Sequence, residues 1–157
     1  MIVSQDNYFY VLIARFLNAL KCIRFWREGF VIFFFGSMGV WLPVFFGWIG
    51  YTSIFDPKTV FTFGIATMVM ILEARIFMSP EDDNKYSKFT LLVVFLGSIF
   101  AVLAYFKSIT ITTTDPESAI SWVQRGLLIT GIVWLYNVIN KSEYDPTLMT
   151  GTLGGDI

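Results

Sequence analysis

The sequence predicts an all-α integral membrane protein, with an amphipathic amino-terminal helix followed by four transmembrane helices. Three observations predict this fold. The 157 residues are 55% hydrophobic and 15% charged, with a mean hydropathy of +0.65, whereas a soluble domain is about 25% charged. Polar breaks that carry proline or charge separate long apolar runs. Each run approaches the ~20 helical residues that cross a bilayer. The four runs are residues 30–51, 60–78, 89–106 and 119–139.

The amino-terminal segment is predicted to lie on the membrane surface. On a helical wheel over residues 5–27, apolar side chains such as Phe9 and Leu20 share one side, and basic side chains such as Arg15 occupy the other. This pattern is typical of an interfacial helix. A crossing helix would place Arg15 near the bilayer centre, at a cost of roughly 2.5–3.5 kcal/mol. We therefore predict an interfacial helix over residues 1–28, and the alternative is a short, partly buried fifth span.

Turn and cap residues set the other boundaries. Asp115 is suited to cap the fourth spanning helix, with Pro116 at its first position. The alternation of β-branched and polar residues over 108–114 predicts an extended loop. The transmembrane domain is thus predicted over residues 29–140, and a short cytoplasmic tail over 141–157. Turns are predicted at residues 55–58 and 79–85.

The distribution of lysine and arginine predicts the orientation. With four spans, eight of the eleven basic residues fall on the side of the two termini. Basic residues are enriched in cytoplasmic loops. Both termini are therefore predicted to be cytoplasmic, and the expected location is the inner (plasma) membrane of a bacterium.

Small residues form stripes on two of the predicted spans. Such stripes let transmembrane helices approach closely. They indicate packing within the bundle or, alternatively, contacts between copies and a hinge at the proline. The first span carries Gly36, Gly39, Pro43, Gly47 and Gly50, and the third carries Gly97, Ala101 and Ala104.

The fourth span has the most polar face among the helix centres, formed by Gly126, Thr130, Val133 and Asn137. Polar side chains at this depth turn toward the bundle interior or a water-filled path. One interpretation is hydrogen bonding between helices. The other is a pore-lining face in an oligomer, where Thr130 and Asn137 offer dipoles to an ion and Val133 gates by dewetting.

Three charged residues lie within predicted spans. Glu73 falls in the cytoplasmic third of the second span, and Arg125 lies about two turns into the fourth helix. Charge at such depth is a functional hypothesis by default. Arg125 is interpreted first as an anchor at the outer surface, and nearby Arg75 as a side chain that extends to the cytoplasmic headgroups.

The amino-terminal basic residues are candidates for binding an anion. Their first interpretation is contact with lipid headgroups. In a symmetric oligomer they would instead ring a vestibule that takes a nucleotide or an acidic segment of a cytoplasmic partner. These residues are Arg15, Lys21, Arg24 and Arg27.

The sequence carries no catalytic motif. Histidine is absent and Cys22 is the only cysteine, which removes the commonest general base and the usual ligands of a thiol metal site. The carboxylates of residues 81–83 lack the spacing of a calcium loop. We therefore expect a non-enzyme without cofactor or metal, and with a net charge of −1 no binding of duplex nucleic acid.

These observations favour a small homo-oligomeric channel or membrane-permeabilising effector, gated by a ligand or partner at the basic amino-terminal helix. Four spans are too few for the paired repeats of typical secondary transporters, so a pathway would form between copies. The alternative is a non-catalytic anchor or assembly subunit of a larger membrane complex.

Overall fold

The computed structural model describes residues 8–47, 53–77, 87–141 and 144, and the regular structure in them is helical. Three of the helices are long and apolar enough to cross a membrane, and a bent helix pair would make a fourth span. The described part of the chain is therefore all-helical, and the protein is an integral membrane protein. The helices are α1 (Tyr8–Lys21), α2 (Ile23–Phe30), α3 (Met38–Phe45), α4 (Pro57–Ile76), α5 (Ser87–Ile111) and α6 (Pro116–Ile139), with a π-helical turn, Val31–Phe35, between α2 and α3.

The helices α4, α5 and α6 form the central bundle. Tyr105 of α5 is fully buried between Gly64 of α4 and Gly126 of α6. Toward the other end of α5, Gly97 lies against Val133 of α6. These pairs show that α5 runs antiparallel to α6. We call one end of the bundle the basic end. It is the end where α4 and α6 finish and α5 begins.

Aspartate caps start two of the spanning helices. Asp115 accepts a hydrogen bond from the backbone N–H of Ser118 at 3.0 Å, which confirms the predicted start of α6. Hydrogen bonds from Ser118, from its side chain and then its backbone, lower the pKa of the Asp115 carboxyl. Asp56, predicted only as a turn residue, caps α4 by accepting from the N–H of Thr59 at 2.9 Å. Both caps precede a proline whose missing N–H costs nothing at the first helical position.

The predicted loop over residues 108–114 is wrong in its first half, because α5 continues to Ile111. Hydroxyl groups account for this extension. Ser108 donates to the carbonyl of Tyr105 at 2.6 Å, and Thr112 donates to the carbonyl of Ser108 at 2.7 Å. Side chains that bond back to the preceding turn satisfy their own polar groups, so the helix can extend through a polar segment.

The first predicted span is a broken helix and not one straight span. The helical segment Ile23–Phe35 and α3 meet at an angle of 53°. In the π-helical turn the N–H of Gly36 bonds the carbonyl of Val31, five residues earlier. A side chain at Gly36 would collide with the carbonyl oxygen of Ile32, so only glycine fits this break.

The predicted amino-terminal helix is also broken. Cys22 has an extended backbone conformation between α1 and α2, and the indole of Trp26 donates to the carbonyl of Leu20 at 2.9 Å, taking an oxygen that the last turn of α1 leaves open. The segment Ile23–Phe35 is continuous across the expected domain boundary between residues 28 and 29. Gly50, the charged loop over residues 79–85 and most of the predicted tail lie outside the described residues.

Candidate functional site: a basic cavity between α2, α4 and α6

A cavity of about 710 Å³ lies at the basic end, between α2, α4 and α6. Ile32, Ile71 and Trp134 give it an apolar, buried floor. Among the described residues that line it, four are cationic and one is a carboxylate. The charged lining residues are Arg24, Arg27, Arg75, Lys141 and Glu28. The described part of the lining is therefore mainly cationic, which suits an anion.

Arg75 connects the cavity to the polar face of α6. Its side chain is 5% exposed. The guanidinium donates from Nε to the side-chain oxygen Oδ1 of Asn137 at 2.7 Å and from Nη2 to the backbone oxygen of Asn137 at 2.6 Å. The prediction that Arg75 extends outward to the headgroups is wrong, because both bonds turn the side chain into the bundle. A forked donor on α4 thus holds one residue of α6 at two points.

An ion pair joins α2 to the end of α6. The Nζ atom of Lys141 lies 2.9 Å and 2.7 Å from the two carboxylate oxygens of Glu28. Both side chains are about 30% exposed, and this partial burial reduces the screening that weakens pairs at the surface. Lys141 therefore neutralises the carboxylate that lines the cavity.

Helix α1 packs against the same end of the bundle. Arg15 is 2% exposed, and its Nη1 atom lies 3.4 Å from Oδ1 of Asn140. Tyr8 shares a hydrogen bond with Tyr136 of α6. The helical wheel places Arg15 on the outward polar face, and the structure corrects this, because Asn140 offers the guanidinium a polar partner inside the fold. A second side of α1 is apolar and exposed: it carries Phe9, Tyr10, Ile13 and Leu17.

The four residues of the predicted pore-lining face are all buried in contacts within this chain. Thr130 donates to the carbonyl of Gly126 at 2.8 Å and shares a 2.7 Å hydrogen bond with the hydroxyl of Tyr105. Val133 packs on Gly97, and Asn137 holds Arg75. In this structure the face belongs to the interior of the bundle.

The two small-residue stripes differ in their surroundings. On α5, Ala101 and Ala104 are buried, as is the Val133 side of Gly97. On the broken first span, Gly39 and Gly47 have no neighbouring atom within 4 Å of the position that a Cβ would take, although Pro43 is buried. The α5 stripe therefore packs inside the bundle, whereas much of the first stripe faces outward.

The remaining candidates are dispersed. Glu73 and Lys21 are exposed and do not line the cavity. The guanidinium carbon of Arg125 lies 4.7 Å from the ring centre of Trp122, a cation–π contact that suits an anchor at the far end of the bundle. The structure thus brings only Arg24 and Arg27 of the predicted anion-binding residues to the cavity.

Sequence reasoning did not identify Arg75, Glu28 and Lys141 as members of one site. The sequence offered one indication, the position of Arg75 near the end of a predicted span. A charged side chain in the apolar interior of a membrane is costly unless a polar group binds it. Within residues 8–47, 53–77, 87–141 and 144, no three His, Cys, Asp or Glu side chains converge as a metal site would require.

Comparison with known proteins gives no relative from which a role could be transferred. No family model matches the chain, and neither a curated protein nor a solved structure is similar to it. Function is therefore inferred from the geometry of the site itself.

Proposed function

We propose that the protein is a small homo-oligomeric channel or membrane-permeabilising effector of a bacterial inner membrane, controlled by a ligand at its basic end. The contact between Arg75 and Asn137 is the observation that carries this proposal. Arg75 lines the basic cavity, and Asn137 belongs to the polar face of α6. A ligand among the cations would therefore act on α6 directly, by changing the contact of a single side chain.

The polar interior of the bundle supports a role in passing ions. Thr90, Ser98, Thr130 and Asn137 are all buried along α5 and α6. Buried polar groups are expensive in a membrane and mark ion pathways as well as helix contacts. In the closed state the side chains of Ser98, Thr130 and Asn137 bond within the chain. In the conducting state, the α6 faces of several copies would turn toward a common symmetry axis.

The proposal also includes the orientation of the protein in the membrane and the position of α1 at the membrane surface. Both termini would lie in the cytoplasm, as the distribution of basic residues predicts. The apolar side of α1, with Phe9, Ile13 and Leu17 exposed, would face the acyl chains near the cytoplasmic surface. Arg15 would then serve to join α1 to α6 through Asn140.

Ion flux through purified protein in lipid vesicles tests this function. Thr130→Val removes the hydroxyl from the interior face while keeping the shape, and is expected to change the conductance. Ile132→Val on the exposed side of the same helix is the matched control and should leave conductance unchanged. A folded wild-type oligomer that passes no ions, with or without anionic lipid or soluble phosphate, would contradict the proposal.

The second candidate function is an anchor or assembly subunit. It is favoured by the internal partners of Thr130 and Asn137, because a face already bonded within the chain needs no aqueous pathway. Under this alternative the protein would be monomeric when purified alone and would conduct no ions. The mass of the detergent-solubilised protein, after subtraction of the bound detergent, separates the two candidates.

A further inference from the structure

The basic cavity combines two exposed cations with a buried cation. Arg24 and Arg27 of α2 are exposed, whereas Arg75 of α4 is buried. We propose that this cavity binds a phosphate group, carried either by an anionic phospholipid headgroup or by a small soluble phosphate compound. The binding step is inferred from the cavity alone, and only its effect on ion flow rests on the function proposed above.

Three arginines from two helices are well suited to phosphate. The guanidinium group is planar and can offer two parallel N–H groups to neighbouring oxygens of one acceptor. Arg75 already uses this geometry on the two oxygens of Asn137. Those oxygens are neutral, and a charged phosphate oxygen is a stronger acceptor for the same donors. A phosphate would therefore compete with Asn137 for Arg75 and loosen the contact between α4 and α6.

The carboxylate in the cavity does not oppose this binding strongly. Glu28 lies within 2.9 Å of Lys141 through both oxygens, so its charge is locally compensated. If an incoming phosphate also attracted Lys141, the ion pair between α2 and α6 would weaken. Ligand binding would thus act on α6 at two neighbouring positions, Asn137 and Lys141.

The test compares two double variants that remove the same charge. Arg24→Gln with Arg27→Gln changes the two exposed arginines that line the cavity. Lys21→Gln with Lys88→Gln changes two exposed residues that do not line it. Delipidated protein is examined by native mass spectrometry with phosphatidylglycerol and with phosphatidylcholine. Binding of radiolabelled pyrophosphate is measured by equilibrium dialysis at constant ionic strength.

We expect phosphatidylglycerol to bind more tightly than phosphatidylcholine, or pyrophosphate to bind saturably. The first result identifies a lipid headgroup as the source of the phosphate, and the second a soluble compound. The cavity variant should lose roughly fivefold in affinity for each arginine removed, and the control variant should lose much less. Asn137→Asp, which keeps the shape and places a carboxylate beside Arg75, should also weaken binding.

The proposal is overturned if phosphatidylglycerol binds no better than phosphatidylcholine and pyrophosphate does not bind saturably, or if both double variants lose affinity equally. Equal loss would mean attraction to the surface charge as a whole. Ion flux measured on the same proteins keeps the two inferences separate. Binding as expected without conductance contradicts the channel and retains the site. Conductance without selective binding contradicts the site and retains the channel.

Discussion

The packing of Tyr105 allows a sharp test of the central bundle. A Cβ atom added at Gly126 would lie 2.5 Å from Cε1 of the Tyr105 ring, well inside van der Waals contact. The ring cannot retreat, because Gly64 of α4 lies against its opposite edge and its hydroxyl bonds Thr130. Gly126→Ala should therefore separate α5 from α6.

Two opposing contributions set the change in stability caused by Gly126→Ala. Overpacking of a rigid site costs about 1–3 kcal/mol, whereas alanine in place of glycine in a helix gains up to about 1 kcal/mol. In Gly131→Ala, on the same helix, no neighbouring atom lies within 4 Å of the new Cβ. This variant therefore has the gain in helix stability without the cost of overpacking. The two variants should differ by about 1–3 kcal/mol. At about 2–4 °C per kcal/mol for a chain of this size, their melting midpoints should differ by roughly 2–12 °C.

The assay is thermal unfolding in one mild detergent, followed by circular dichroism for both alanine variants and the wild type. A second measurement uses Tyr105→Leu, which shortens the side chain. In that background the cost of Gly126→Ala should fall, because two of the three ring atoms that collide with the new methyl group, Cε1 and Cζ, are gone. Equal unfolding midpoints for Gly126→Ala and Gly131→Ala would refute the tight packing of Tyr105 between Gly64 and Gly126.

Three further predictions concern separate parts of the fold. Arg75→Met leaves both oxygens of Asn137 buried without their donors, so it should lower the free energy of unfolding by about 1–3 kcal/mol. The unfolding midpoint should fall accordingly, and an unchanged midpoint would contradict the contact between α4 and α6. The lowered pKa of Asp115 means that its cap stabilises α6 above the ordinary carboxyl pKa and is lost as the pH falls through the lowered folded value. After correction for the intrinsic exchange rate, which itself falls with pH, the N–H of Ser118 should therefore lose protection on acidification. A pH-independent ratio of protection between wild type and Asp115→Asn would count against this. Gly36→Ala should disrupt the break in the first span, and cysteine-pair distances measured across that break by spin labels should change; an unaltered distance would show that glycine is not required there.

The spanning helices could be predicted because each carries a local signal. A long apolar run needs no information from its neighbours, since the bilayer sets the required length. The start of α6 was equally accessible, because the Asp115 cap acts within three residues. The end of α5 was not, since hydroxyl groups that bond back into the helix offset the polarity of residues 108–111. The bend at Gly36 also escaped prediction, because hydropathy does not distinguish a straight apolar helix from a broken one.

The candidate site was only partly predictable. Arg24 and Arg27 were candidates by charge, and they line the cavity. Arg15 was a candidate on the same ground, yet it is buried against Asn140. A helical wheel ranks the two sides of a helix by polarity, but it contains no information about a polar partner that lies 125 residues away in the chain.

The sequence by itself determined that this protein is helical and embedded in a membrane. The length of each apolar run and the distribution of charge determine how a segment partitions between water and lipid, and this needs no tertiary contact. The tertiary structure decided which charges meet. It placed Arg75 on Asn137, Lys141 on Glu28 and the α6 polar face inside the bundle. In lipid the choice of partner depends on close packing and on satisfying each buried polar group, and these are properties of helices brought together rather than of any one segment.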